Sequence, residues 1–434
     1  MSRIDELWQR IEKSDVGRRM ASGALWSFTG TAMAKFIVLV AGILCAHLLG
    51  KVEYGEFGMI RSTINMFVAV GIAGMGLTAT KYISEFRKYD KEHIGSIYIL
   101  TNGFALLMGG VIAVLILVAA PYLAEHTLKA PHLVNDLRLG AVLLFVSILN
   151  GAQNGTLAGF EDFRSIALNT LWGSIAEAIF MLLGAWLWGV SGAILGFGCG
   201  FAVLFLCNRL SIRQIMRHEG ISTSYSSFRR ADLSLLYTFS LPAALSSLMV
   251  APTFWVMRSI LVRHSGFEEL AMFEAADQWK VIILFIPSAV SQIVLPILSG
   301  TASEGGNKFW KVLKLNLYLN GGVAFVLALG VSLFSPWIMR MYGSGFTDYR
   351  ILIYLAASTI FTALATVVGL SISSRAKMWI GFSFNLLWAA MTIGFSYLFV
   401  FHGLGAEGIA LALLCAYAIH TVLQLIYLRT ITIK

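Results

Sequence analysis

"MFEAADQWKVIILFI", residues 272–286, sets Glu274, Asp277 and Lys280 at the head of a segment otherwise suited to lipid. Residues three apart on a helix are turned by about 60° relative to one another, so these charges share one side, a sector of roughly 120°. A charge at bilayer depth costs a few kcal/mol on insertion scales and therefore faces protein or a wet cavity. The stretch reads as a membrane helix whose polar side is turned on a partner.

The rest of the chain agrees with that reading. Of its 434 residues 58% are hydrophobic and 13% charged, whereas a soluble domain carries about a quarter charged residues. Mean hydropathy is +0.77. Apolar runs long enough to cross a hydrocarbon core of about 30 Å recur from end to end. They place spans at 22–49, 57–80, 95–119, 138–160, 167–188, 190–210, 235–262, 270–299, 312–334, 350–372, 379–401 and 405–427. The expected fold class is an all-α polytopic membrane protein of about 12 transmembrane helices.

Charge placement orients these spans. Of the 32 Lys and Arg, 22 fall in segments that share a side with the N-terminus, six on the other side and four inside spans. An excess of Lys and Arg marks the cytoplasmic side, so both termini are expected there. The net charge of +9 is thereby a matter of topology, and no nucleic-acid partner is needed. Ile4, Leu7, Trp8 and Ile11 recur at helical spacing among charges, as in a short amphipathic helix on the membrane surface. The first 20 residues hold no apolar stretch of the kind a cleavable signal peptide needs.

A duplication is visible at a fixed offset of 216 residues. "NTLW" at 169–172 falls on "NLLW" at 385–388, and "GVSGAI" at 189–194 on "GAEGIA" at 405–410. Cys199 falls on Cys415, and Phe57 on Phe273, so that "FGMIRSTIN" at 57–65 is the first copy of the opening stretch. Both copies hold six spans and start on the same side, which makes them parallel repeats. The expected organisation is a cytoplasmic segment 1–21, an N-terminal lobe 22–210, a loop 211–234, a C-terminal lobe 235–427 and a tail 428–434. A substrate path runs between lobes in such proteins.

Seven Asp, Glu, Lys or Arg residues lie four or more positions inside a span: Lys35, Arg61, Glu177, Arg258, Glu274, Asp277 and Lys280. Under the repeat, span one corresponds to span seven and span two to span eight, so six of the seven fall on two equivalent helix pairs. Ser27, Thr31 and Lys35 form one polar stripe, and Arg61 shares a face with Asn65. Arg61 and Asp277 are equivalent positions of opposite charge. Lys35 and Lys280 lie deepest and are expected to touch substrate. Arg258, near a span end, can instead snorkel to the interface. Glu274 and Asp277 are expected to pair with Arg61 or Lys280, or else to carry a coupling ion. Glu177, alone in its span, is expected to make a structural hydrogen bond. Four bases against two acids give the cleft a basic surplus that favours an anionic substrate.

Pro242, Pro252, Pro287 and Pro296 all sit in spans seven and eight, where proline bends a helix. Gly71, Gly74 and Gly76 serve either as a bend or for close packing. Cys45, Cys199, Cys207 and Cys415 read as small buried hydrophobes. No Cys/His cluster has metal-ligand spacing, and no GxxxxGK[ST] motif points to ATP. "NGT" at 154–156 has the form of a glycosylation sequon but lies in a span. No acid/base pair sits in a water-facing domain, so the reading is not an enzyme.

The whole chain resembles the polysaccharide-transport (Wzx-type) branch of the multidrug/oligosaccharidyl-lipid/polysaccharide (MOP) exporter superfamily. The resemblance rests on the 6+6 layout, "LLGKVEYGEFGMIRSTINMF" at 48–67, "GMGLTATKYISEF" at 74–86, "GTLAGFEDFRSIA" at 155–167 and the GxxG hairpins at 189–192 and 405–408. It implies a flippase of the cytoplasmic (inner) membrane of a bacterium or archaeon. Such a protein moves undecaprenyl-pyrophosphate-linked oligosaccharide, a repeat unit of O-antigen, capsule or exopolysaccharide, by alternating access. Spans one, two, seven and eight line the cavity in that fold. Lys35, Arg61, Arg258 and Lys280 would then contact pyrophosphate or acidic sugars. Asp277, Glu274 or Glu177 would couple transport to a proton or Na⁺ gradient, and no other cofactor is implied. The implied partners are the lipid-linked oligosaccharide, the bilayer, a polysaccharide polymerase and glycosyltransferases.

The chief rival is a multidrug exporter of the same superfamily, which would favour an acidic cavity for lipophilic cations. A peptidoglycan-precursor flippase usually has two further spans. A non-transporting scaffold of a polysaccharide assembly complex leaves the buried charges without a purpose.

Overall fold

The computed structural model describes residues 15–72, 74–87, 89–221, 230–233, 235, 249–301, 306–374 and 378–432. Their long elements are helices: α1 Asp15–Ile72, α2 Met75–Phe86, α3 Lys91–Tyr122, α4 Val134–Gly159, α5 Phe163–Glu219, α6 Val250–Ser265, α7 Phe267–Thr301, α8 Gly306–Leu333, the short α9 Ser335–Arg340, α10 Arg350–Ser374, α11 Met378–Phe401 and α12 Gly405–Thr432.

Two of these are hairpins in disguise. Gly42 and Gly58 lie on either side of Gly50, and a straight helix would hold them about 24 Å apart. Yet both abut α7 within one turn, Gly42 against Gln278 and Gly58 against Glu274. The chain doubles back at Gly50, whose φ of 73° and ψ of 179° no helix contains. In α5, a Cβ on Gly184 would stand 2.1 Å from the carbonyl oxygen of Gly192. That places the reversal at Trp188 and Gly189, whose φ is 58°. The positive φ at these positions is the reason each turn has glycine.

The reversals carry the repeat into the backbone. Gly266, the equivalent of Gly50, has φ 85° and ψ 178° and separates α6 from α7. Gly405, the equivalent of Gly189, has φ 50° and begins α12. Even their neighbours correspond: the Glu269 carboxylate accepts the Ala406 N–H at 2.8 Å, and the equivalent Glu53 carboxylate lies against Gly189.

Among the described residues, eight helices are long and apolar enough to cross a membrane, and α1 and α5 each supply two limbs. With α6 and α7, each expected span has a helical counterpart, although the segment 236–248 of span seven, with Pro242, lies outside the described residues. So does most of the amphipathic segment at 1–21.

Two helix bounds differ from expectation. Span two breaks at Gly74, φ 81°. Its neighbours serve packing instead: Gly71 admits Ile148, and Gly76 meets Gly151 and Gly155 across α4. The last helix of the N-terminal lobe continues past 210 to Glu219 and ends at Gly220, φ 70°. Ile212 and Met216 supply the cause, burying an apolar stripe against Ala79, Ile83, Ile94 and Ile97. Helix α7 meanwhile runs in helical conformation through Pro287 and Pro296.

A buried amide ladder ties α4 to both limbs of α5. Asn169 donates to Asn208 and Asn208 to Asn154, each at 2.9 Å. Asn154, the first residue of the sequon-like triplet, is thus a packing residue. The lobes α1–α5 and α6–α12 meet chiefly through α1 against α6 and α7. These are spans one and two against seven and eight.

Candidate functional site

A cavity of about 690 Å³ opens between the lobes where α1, α6, α7 and both limbs of α5 converge. Its lining includes all seven charged residues expected at membrane depth: Lys35, Arg61, Glu177, Arg258, Glu274, Asp277 and Lys280. Thr31 and Asn65 line it too, so the polar stripes read on spans one and two both face inward.

Five of the charges form a continuous ladder. Arg61 Nη2 donates to Glu274 Oε2 at 2.8 Å across the lobes. Glu274 Oε1 accepts from Arg258 Nε at 2.5 Å, and Arg258 Nη2 donates to Asp277 Oδ2 at 2.8 Å. Asp277 Oδ1 then accepts from Lys280 Nζ at 3.0 Å. Each acid bridges two cations, and Arg258 bridges both acids. Glu274, Lys280 and Arg258 are only 3%, 6% and 7% exposed. Removing such groups from water costs several kcal/mol per ion, and only good pairing offsets it. Aromatic faces help: Lys280 Nζ lies 4.4 Å from the Phe254 ring centroid, and the Arg258 guanidinium 5.1 Å from that of Phe273.

The acids pair with the bases expected of them, Arg258 joins both, and two other expectations change. Asp277 pairs with Arg258 and Lys280, while Arg61 pairs with Glu274. Glu274 lies one helical turn from Asp277, and the rotation of α7 turns it toward Arg61. Arg258 does not snorkel: it points into the protein and holds both acids. Glu177 makes no hydrogen bond among the described residues and lines the cavity instead. Lys35 likewise has no hydrogen bond or ion pair among the described residues, in contrast to Lys280, which is held by Asp277.

The ladder holds one more cation than anion, and Lys35 and Glu177 add one charge of each sign. Glu177 continues a face with Thr170 and Ser174, all lining the cavity. Their spacing of four and three residues was a legible helical stripe. Gln278, beside Asp277, is a further lining residue. Its amide donates to Tyr54 Oη at 2.5 Å and accepts from Tyr342 Oη at 3.3 Å. Tyr54, Tyr342 and Phe346 pack edge and face with centroids 5.8 to 6.4 Å apart. This cluster closes the cavity at the hairpin end, and both tyrosines are buried. At the other end Phe28 stacks on Phe285 across the lobes at 4.9 Å, but Phe28 is 40% exposed. The hairpin end is therefore the more closely packed one.

No group of three or more His, Cys, Asp and Glu among the described residues has the arrangement of a metal site. Cys45 is buried and the other cysteines part-buried, all unpaired.

Two six-helix lobes related by a parallel duplication and meeting along a charged cavity define the fold of MOP superfamily transporters. An inward-facing multidrug resistance MATE family transporter of that superfamily superimposes with a TM-score of 0.82 at 17% identity, over 94% of this chain and 98% of that one. A MOP superfamily transporter from Pyrococcus furiosus, whose binding pocket is described as of reverse polarity, gives a TM-score of 0.73 at 16% identity over 98% and 97%. Within this fold, the family of polysaccharide biosynthesis proteins matches residues 20–302, and the chain belongs to that family. It is 25% identical over 424 residues to the EPS I polysaccharide export inner membrane protein EpsE of Ralstonia solanacearum, covering 93% of this chain and 92% of that protein. The protein of the same name from Ralstonia nicotianae is 23% identical over 419 residues, covering 93% and 92%.

Proposed function

We propose that this protein exports polysaccharide precursors by flipping a lipid-linked oligosaccharide, carried on undecaprenyl pyrophosphate, across the cytoplasmic membrane. The observation that carries the reading is the cavity at the lobe interface, which gathers every membrane-depth charge read in the sequence and holds a surplus of cations in its ladder. An unpaired cation in a low-dielectric cavity attracts anions far more strongly than one in water. Lys35, without an ion pair among the described residues, is that cation, and it offers charge-assisted hydrogen bonds to a phosphoryl oxygen or an acidic sugar. Arg61, Arg258 and Lys280 form the wall behind it. The lipid tail remains in the bilayer while the polar head crosses between lobes.

The Tyr54–Gln278–Tyr342 cluster closes the hairpin end, which the Lys and Arg distribution makes the outer face. The cavity is thus poised to load from the cytoplasm. Glu177 is the acid free to exchange a proton or Na⁺, because Glu274 and Asp277 are already engaged by cations. The names of the Ralstonia relatives support polysaccharide export at the inner membrane.

A multidrug antiporter of the same fold is the second reading, and the cation surplus disfavours it, since lipophilic cations need an acidic cavity. Deletion followed by lipid extraction separates the two. Accumulated lipid-linked oligosaccharide on the inner leaflet is the expected outcome. Unchanged lipids with new drug sensitivity would refute it.

A further inference from the structure

The ladder has a feature that simple charge neutralisation does not require. Arg258 presents two nitrogens, Nε and Nη2, and each holds a separate carboxylate, Glu274 at 2.5 Å and Asp277 at 2.8 Å. The outer oxygens of those carboxylates reach Arg61 and Lys280 at 2.8 and 3.0 Å. Two anionic groups are therefore held side by side on one guanidinium, each also bridged to a second cation. A diphosphate presents the same pattern: two adjacent anionic centres joined through one oxygen, each with oxygens to spare. Guanidinium forks are matched to such paired acceptors.

We propose that Glu274 and Asp277 are resident occupants of the cargo's own anion positions, displaced when the diphosphate of a lipid-linked sugar enters. The inference rests on the flippase reading and adds a selection rule to it. A neutral or singly charged lipid cannot replace both carboxylates at once, so the ladder stays shut against ordinary phospholipid. A diphosphate lipid replaces both and leaves Arg61, Arg258 and Lys280 paired throughout. Among the described residues Glu274 is also the ionic tie between the lobes in this cavity, reaching across to Arg61 on α1 while held by Arg258 on α6. Its displacement makes that tie depend on cargo. The placement of Gly58 suits such a swap: glycine at this point of α1 leaves room for the Glu274 side chain, which lies against it.

The test is calorimetric binding of farnesyl diphosphate to the purified full-length protein in detergent, with farnesyl monophosphate as control. If the acids occupy the cargo positions, Glu274→Gln and Asp277→Asn each bind the diphosphate more tightly than wild type. The gain is about tenfold, the worth of one charge-assisted hydrogen bond no longer contested. Monophosphate binding rises in these variants toward that of the diphosphate, and Arg258→Gln binds neither. If the acids merely position the bases, both substitutions weaken diphosphate binding, and that result overturns the proposal. Equal affinity in wild type and both acid variants overturns it as well. Should the tightened binding occur while the reconstituted wild type fails to move lipid-linked oligosaccharide, the diphosphate site stands and the flippase reading falls.

Discussion

Glu274 and Gly58 occupy equivalent positions in the two halves of the chain, 216 residues apart, and they touch. The Cγ of Glu274 lies 2.6 Å from where a Cβ on Gly58 would stand. One copy carries the acid of the ladder, and the other carries the space that acid fills. The duplication thus produced a pseudo-symmetric interface whose charge is asymmetric: Arg61 faces its partners from one lobe, while Arg258, Glu274, Asp277 and Lys280 face it from the other.

Adding a methyl group at Gly58 is expected to push Glu274 off Arg61. Gly58→Ala should lower thermal stability in detergent by about 1–3 kcal/mol, the range for overpacking a tight contact, and reduce export. Gly184→Ala should cost more, because its new methyl meets the Gly192 backbone, 2.1 Å away, and not a movable side chain. Melting curves of the two variants check the order.

Lys35 and Glu274 should separate function from stability. Lys35 has no ion pair to lose among the described residues, so Lys35→Gln should melt within about 0.5 kcal/mol of wild type while export falls strongly. Glu274→Ala leaves a buried guanidinium, Arg258, and a half-buried one, Arg61, each short of an anion, a loss of about 3–5 kcal/mol. Parallel measurement of melting and surface polysaccharide distinguishes them. Wild-type export by Lys35→Gln would remove that residue from the cargo path.

Much of this arrangement was legible beforehand, and what was not has physical causes. Charge at lipid depth is costly enough to be conspicuous, so Lys35, Arg61, Arg258 and Lys280 stood out from composition alone. The offset of 216 predicted that these would come together, since equivalent helices of parallel repeats meet at the axis. Which acid pairs with which base was not legible. Glu274 and Asp277 lie one turn apart on α7, and the choice between them depends on the rotation of that helix against α1, a property of packing. Gln278 was missed for a related reason. An amide beside a charge carries no signal until Tyr54, in the other lobe, and Tyr342, 64 residues along the chain, are brought to it. The extension of α5 to Glu219 was obscured by Arg209, Arg213 and Arg217, although Ile212 and Met216 kept the apolar spacing.

Glu177 should govern the driving force. Glu177→Gln removes an acid that faces the cavity without a hydrogen bond among the described residues, so folding should be little changed. Export should lose its dependence on an imposed proton or Na⁺ gradient, measured in vesicles with the gradient collapsed or intact. Unaltered gradient dependence would move the coupling role elsewhere.

Asp232 should hold the described part of the loop between the lobes. Asp232 accepts from His93 Nε2 at 2.8 Å and from Ser96 Oγ at 2.6 Å, which docks residues 230–233 on the start of α3. Asp232→Ala removes the acceptor that His93 and Ser96 share, and the expected loss is about 1–3 kcal/mol. Hydrogen exchange at 230–233 should quicken while the ladder residues on α7 keep their protection.

Passage of an anionic lipid-linked sugar through the cavity between the lobes is measurable in proteoliposomes. Fluorescent undecaprenyl-pyrophosphate-linked oligosaccharide is placed in both leaflets, and its accessibility to a membrane-impermeant quencher is followed with time. Wild-type protein should equilibrate the two leaflets, Lys35→Gln should slow that process at least about tenfold, the loss of one charge-assisted contact, and a phosphate-free glycolipid should not move. Equal rates for wild type, Lys35→Gln and protein-free vesicles would rule out transport through this cavity.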